Sequence, residues 1–270
     1  MNGIVINLDP IAFSIGDFAI RWYGITAVSG ILLAFFVTLH ESAWRGLDED
    51  KIYNLGLWAV AAGMVGARLM HVIDHWAFYS ANPWMIPAIR EGGLSIYGGL
   101  AAGIIVGGIY ARHAKLPFLT SLDAAAIGLI LGQSVGRIGN IFNGDVEGGV
   151  TNLPWGFIYT NPNALAAQPG VPTHPYPVYE IILNLMIFGV LWKLRSRTTK
   201  VPGVLFLVYA ALYSIVRFLL MFLRDEVIVI WGLQQAQVLA LATFLAAVAG
   251  IAYLLLQRNR QVVATSEPQA

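Results

Sequence analysis

The sequence contains no cysteine, and that single absence removes disulfides, thiolate-bound metals, a cysteine nucleophile and acylation of the chain on Cys. Charge is scarce too. Asp, Glu, Lys and Arg together make up 11% of the 270 residues, against roughly 25% in an ordinary soluble domain. No sign is in excess: the formal net charge is +1, which leaves no basic surplus to displace counterions from a nucleic-acid backbone and excludes that class of partner. The first 17 residues hold Asp9 and Asp17 but neither Lys nor Arg. They lack the positive region of a cleavable secretion signal, so the first apolar segment is expected to be retained.

What the chain has in quantity is apolar length. Hydrophobic residues make up 57% and mean hydropathy is +0.68, so length is best counted in spans of about 20 apolar residues. Apolar runs fall at 18–40, 53–74, 94–111, 119–138, 177–193, 202–223 and 231–257. They predict an all-α integral membrane protein with seven transmembrane helices, forming one domain over residues 1–270, with a flexible tail at 258–270. Seven crossings place the termini on opposite faces. The connections sharing the C-terminal face hold Arg45, Lys51, Arg112, Lys115, Lys193, Arg195, Arg197, Lys200, Arg258 and Arg260, and the positive-inside rule makes that face cytoplasmic and the N-terminus external. The longest polar connection, 139–176, is rich in Gly, Pro and Asn and is expected to be an ordered cap on the outer face.

The other basic residues are Arg21, Arg68, Arg90, Arg137, Arg217 and Arg224, none of them Lys and all near the outer ends of spans. Topology accepts either residue, whereas anion recognition prefers the planar guanidinium, which binds phosphate at two points and stays charged when desolvated. An outward-facing anion site follows. Its densest element is Gly136-Arg137-Ile138-Gly139-Asn140-Ile141-Phe142-Asn143-Gly144-Asp145, read as a helix ending in a glycine-punctuated turn at membrane depth. Irregular backbone there must line protein or a watery cavity; the plainer reading is a helix cap with a snorkelling Arg. Arg217 and Arg224 stand seven residues apart on the sixth span, nearly on one face. An Arg at the depth of Arg217 needs a partner, either a cavity anion or an internal acid such as Asp123 or Glu180.

Other features are weaker. Gly99, Gly103 and Gly107 form a stripe suited to close helix packing. Arg21-Trp22-Tyr23-Gly24 sits where an aromatic belt belongs. His71, Asp74 and His75 have helical spacing but no third close ligand, so no metal site is expected. Gly132-Gln133-Ser134-Val135-Gly136 matches the letters of a hydrolase nucleophile motif, yet lies within an apolar helix instead of a strand-to-helix turn.

Taken together, GRIGN-x-x-NG-D after the fourth span, RWYG on the first, GGLSIYGGL on the third, HP-x-x-x-YE at His174 to Glu180, and Arg217 with Arg224 on the sixth resemble the prolipoprotein diacylglyceryl transferase family over nearly the whole chain. The resemblance implies transfer of a diacylglyceryl group from phosphatidylglycerol to the lipobox cysteine of a bacterial prolipoprotein, with no metal or soluble cofactor, in the bacterial inner (cytoplasmic) membrane. It implies that Arg137 contacts the lipid and that Arg217 is a second functional arginine. Asn140, Asn143 and Tyr23 fall on matching motif positions, and Gly98, Gly99, His174 and Arg224 join them as candidate substrate contacts. Three positions depart from the pattern: Tyr97 where His is common, Asp145 where Glu is frequent, and Met221 where some members carry Glu.

Guanidinium groups aimed at the leaving phosphate would lower the barrier to attack by sulfur. The thiol, with an ordinary pKa of about 8.5, needs nearby cations or a base. Asp145, Glu180, His174 and Tyr97 remain open as that base, Tyr97 being the weakest acceptor and better suited to positioning. A transporter or channel with an outward-facing anion site is the alternative class.

Overall fold

In the computed structural model the described residues are 3–16, 18–89 and 92–266; Asp17, Arg90 and residues 267–270 of the expected tail, which figure in the sequence reading, lie outside them. Among the described residues the chain forms eight α-helices: α1 (Trp22–Trp44), α2 (Glu49–Asp74), α3 (Trp76–Ala81), α4 (Ile96–His113), α5 (Phe118–Asn143), α6 (Tyr176–Thr198), α7 (Val204–Leu220) and α8 (Gln235–Ser266). Six of them, α1, α2, α5, α6, α7 with its following turn, and α8, are long and apolar enough to cross a membrane. α4 is apolar up to Ala111 but only 18 residues long, and it ends on Arg112 and His113. α8 continues as helix to Ser266, over the start of the expected tail. The chain divides into two compact units, Met1–Thr38 with Leu122–Ala270, and Leu39–Ser121.

Among the described residues the first unit also carries six short strands, two of which, Phe18–Arg21 and Leu233–Gln234, fall inside apolar runs read as spans. β1 (Ile4–Ile6) pairs in parallel with β4 (Phe157–Tyr159), β2 (Ile11–Ile15) with β3 (Phe18–Arg21), and β5 (Ile228–Ile230) with β6 (Leu233–Gln234). The first helix therefore starts at Trp22 and the last at Gln235, several residues after the apolar runs begin. The core is made by Ala126, Ile127 and Ile130 of α5, Ile187 and Leu191 of α6, and Leu205 and Tyr209 of α7. α1 and α5 approach through glycine: a Cβ on Gly30 would lie 2.6 Å from the Gly132 carbonyl oxygen, and one on Gly132 would lie 2.6 Å from that of Gly30. Asp123 of α5 accepts from the backbone N–H groups of Gly203 (2.8 Å) and Phe206 (2.9 Å). Its carboxylate thus caps the positive end of α7. Outward faces are strongly apolar, with Phe36 70% and Leu256 61% exposed, a surface suited to hydrocarbon and not to water.

The second unit is built on α2 against α4. Glycine again permits the approach: a Cβ on Gly98 would strike the Gly66 carbonyl oxygen, while Gly99 and Gly103 face the carbonyl oxygens of Gly63 and Ala59 at 3.2 and 3.1 Å from a notional Cβ. The stripe read in the sequence is therefore a helix-packing surface. Arg68, 5% exposed, donates to four carbonyl oxygens: Ile86 from Nε (2.8 Å), Met85 from Nη2 (2.6 Å), and Gly92 and Gly93 from Nη1 (2.7 and 3.0 Å). It ties down the connection to α4 and, unlike the sequence expectation for the outer arginines, turns to backbone instead of an anion. At the other end of α2 the Asp48 side chain accepts from the Lys51 N–H (3.2 Å), and that bond holds its carboxyl below the ordinary carboxylate range.

Candidate anion site in the first unit

The block Gly136 to Asn143 stays helical to the end of α5, and the backbone departs only at Gly144 (φ +78) and Val146 (φ +62). The glycines have specific neighbours. Gly139 is pressed against α1, where a Cβ would lie 2.9 Å from Tyr23 Cα, whereas a Cβ on Gly136 would meet nothing within 4 Å. Gly136 opens onto a cavity of about 170 Å³ lined by Tyr23, Ala27, Gln133, Gly136, Arg137 and Asn140.

Arg137 and Arg217 converge on one carboxylate. Arg137 Nη2 lies 2.9 Å from Glu180 Oε1 and Arg217 Nη1 lies 3.4 Å from Glu180 Oε2. Glu180 is 1% exposed at its side chain, the arginines 22% and 26%. The bridge is made by helix geometry, since α5, α6 and α7 each contribute one member. Tyr213 Oη donates to Glu180 Oε1 (3.3 Å), and Arg217 Nη1 also donates to Tyr176 Oη (2.8 Å). The free face of Arg137 donates from Nη1 to Asn140 Oδ1 (3.2 Å), and Asn140 Nδ2 donates to Asp145 Oδ1 (3.0 Å). Two cations thus share one acid, leaving a net positive charge at the pair, with Asp145 held one amide away.

Around this network the other sequence-derived residues sort by position. Asn143 accepts from Arg21 Nη1 (3.3 Å). Arg224 pairs with Glu226 (2.8 Å) and its guanidinium lies 5.4 Å from the centre of the Tyr176 ring. His174 contacts Tyr179 Oη from Nδ1 (3.4 Å), and the same hydroxyl accepts from Trp155 Nε1 (2.8 Å), so it belongs to the loop and not to the arginine pair. That loop, 144–175, has little regular structure but is tied by Glu147, which accepts from Thr173 Oγ1 (2.9 Å) and Gln168 N (3.0 Å). Tyr159 donates to the Ile141 carbonyl (3.1 Å), and burial pushes its phenol well above the ordinary range, so it remains a donor. Tyr97, Gly98 and Gly99 stand in the first turn of α4 in the second unit, Tyr97 51% exposed.

Sequence reasoning missed Tyr176, Tyr213 and Gln133. A signal was present: each stands four residues before Glu180, Arg217 or Arg137 on the same helix, the spacing that stacks side chains on one face. Among the described residues no group of three His, Cys, Asp or Glu side chains could hold a metal. The arrangement of paired guanidiniums beside a polar cavity suits a phosphate-bearing ligand.

The spans describe a multi-pass membrane protein, and among its helices two arginines share one buried carboxylate. The chain belongs to the prolipoprotein diacylglyceryl transferase family, whose model matches residues 10–253. It is 35% identical over 247 residues to the phosphatidylglycerol–prolipoprotein diacylglyceryl transferase of Clostridioides difficile (strain 630), covering 92% of this chain and 96% of that one. The proteins of the same description from Acaryochloris marina (34% identical, 93% and 92% covered) and Clostridium novyi (37% identical, 87% and 91% covered) are similar over the same extent.

Proposed function

We propose that this chain transfers the diacylglyceryl group of phosphatidylglycerol to the lipobox cysteine thiol of a prolipoprotein, the first step of lipoprotein maturation. The observation that carries the reading is the family match over most of the chain, joined to two arginines from different helices meeting at one carboxylate. The acceptor sulfur forms a bond to the terminal glycerol carbon, the bond from that carbon to the phosphate oxygen breaks, and glycerol phosphate leaves with the electron pair. Negative charge grows on the leaving oxygens, where Arg137 and Arg217 stabilise it. Glu180, fully engaged by both arginines, acts as their shared counter-ion and fixes their angle. Asp145, with one oxygen bonded to Asn140, is the carboxylate better placed to receive the thiol proton.

The reading includes α4 as a seventh crossing. Its 18 residues reach about 27 Å, close to the hydrocarbon thickness of about 30 Å. With the basic residues at the ends named above, the N-terminus is then external and the C-terminus cytoplasmic, in the cytoplasmic membrane of a bacterium. The test is reconstitution of the purified protein with a lipobox peptide. The peptide should gain the mass of a diacylglyceryl group only when phosphatidylglycerol is present. Solute movement in liposomes without peptide, and no mass gain with it, would favour a transporter and overturn the reading.

A further inference from the structure

The cavity beside Arg137 has polar groups at two depths. Arg137 and Asn140 stand at one level. Gln133, four residues earlier on α5, lies about 6 Å further along the helix on nearly the same face. Gly136 between them contributes no side chain, and the wall is open from one level to the next.

The Gln133 amide is only partly used. Nε2 donates to Tyr209 Oη at 3.0 Å, while Oε1 is buried without a hydrogen-bond partner. A primary amide carries two N–H donors as well as its oxygen. Exchanging the positions of oxygen and nitrogen would let Oε1 accept from the tyrosine hydroxyl and free both N–H groups. In either orientation at least one N–H has no partner among the described residues. An unspent amide donor inside an apolar span is costly unless a polar group comes to it.

Resting on the transferase reading, we propose that Gln133 is a substrate-binding residue that donates to an ester carbonyl of the diacylglyceryl group while Arg137 holds the phosphate. In a glycerophospholipid the ester carbonyls lie a few bonds from phosphorus on the side of the acyl chains, about one helical turn away. The two levels of the cavity match that separation, with the donor on the deeper level and the cation on the other. A lipid gripped at both levels has the glycerol carbon that sulfur attacks fixed between them, so the contact orients the reacting centre as well as adding affinity. Gln133 thereby reads a feature that the headgroup does not carry, the ester linkage itself.

The experiment compares diacyl phosphatidylglycerol with its dialkyl ether analogue, which has the same headgroup and the same scissile bond but no carbonyls. Transfer to a lipobox peptide is measured for the wild type, Gln133→Leu, Gln133→Glu and Tyr209→Phe. The wild type should show a KM for the ester lipid about tenfold below that for the ether, the size expected of one neutral hydrogen bond. Gln133→Leu and Gln133→Glu, which offer no amide N–H, should bring the ratio close to one by raising the ester KM. Tyr209→Phe breaks the bond between helices but keeps the amide and should preserve the ratio, separating lipid reading from a merely structural role. Equal KM values for the two lipids in the wild type would overturn the proposal and leave water or a peptide carbonyl as the partner of the amide. A preference that persists in both Gln133 variants would overturn it as well. Absence of transfer from either lipid by the wild type would instead sink the transferase reading.

Discussion

Two arginine sites, one buried and one half-buried, use the same residue type to opposite ends. In the unit Leu39–Ser121, Arg68 spends Nε, Nη1 and Nη2 on four backbone carbonyls, none of which carries charge. In the other unit Arg137 and Arg217 divide one carboxylate between them, and beyond it their donors reach Asn140 and Tyr176. Carbonyls are neutral, so the first site is a clasp whose function is to shape the loop before α4. The second retains unbalanced positive charge beside a cavity, which is what an anion requires. Depth and residue type are therefore poor markers of an anion site; the identity of the acceptors separates clasp from claw.

The sharpest way to break the contrast is to remove the claw. Arg137→Ala or Arg217→Ala should lower diacylglyceryl transfer by about 10³-fold or more, the scale of losing a preorganised charge donor in a dry site, and Arg→Lys should recover little because a point charge does not bind phosphate at two points. Wild-type rates in a correctly inserted Arg137→Ala protein would remove the central assignment. Next comes the shared acid. Glu180→Gln leaves two guanidiniums facing a neutral amide and should cost about 2–4 kcal/mol of stability, as expected when one member of a buried pair is removed, read by thermal unfolding in detergent. Arg68→Met orphans carbonyl oxygens and should cost about 1–3 kcal/mol, with faster hydrogen exchange concentrated at residues 85–89 and 92–95. If that variant folded normally yet lost binding of phosphatidylglycerol, Arg68 would be an anion contact after all and the contrast would collapse. Two glycines close the series, the second with the smallest effect. Gly98→Ala, which must displace the Gly66 carbonyl, should destabilise by about 1–3 kcal/mol. Gly108→Ala, with nothing within 4 Å of its new methyl group, should be neutral or stabilise α4 by up to about 1 kcal/mol in the same melting experiment.

Much of this was legible in the sequence, for physical reasons that also mark where reading stopped. Spans are written in hydropathy, and all six long apolar helices fall on predicted runs. Where the helices begin was harder to read, because the apolar residues of strand Phe18–Arg21 run directly into the helix that follows it. GRIGN and Arg217 pointed to the candidate site through residue chemistry, and Glu180, one of two acids weighed as a partner for Arg217, is the one it meets. Asp123, the other, turned out to cap α7. What no local pattern carries is that Arg137 and Arg217, 80 residues apart, meet at the same carboxylate. That depends on how three helices pack. The helical backbone through Asn143, where a broken turn was expected, has the same origin: Gly139 packs against α1, a tertiary contact that overrides the usual cost of glycine in a helix.

The two-to-one ratio of guanidinium to carboxylate at Glu180 has a consequence for turnover. A phosphodiester lipid brings a single negative charge to that surplus, but the monoester that departs carries up to two near neutrality. Electrostatics therefore favours the spent headgroup over the fresh one, so added glycerol phosphate is expected to compete with phosphatidylglycerol for the arginine pair.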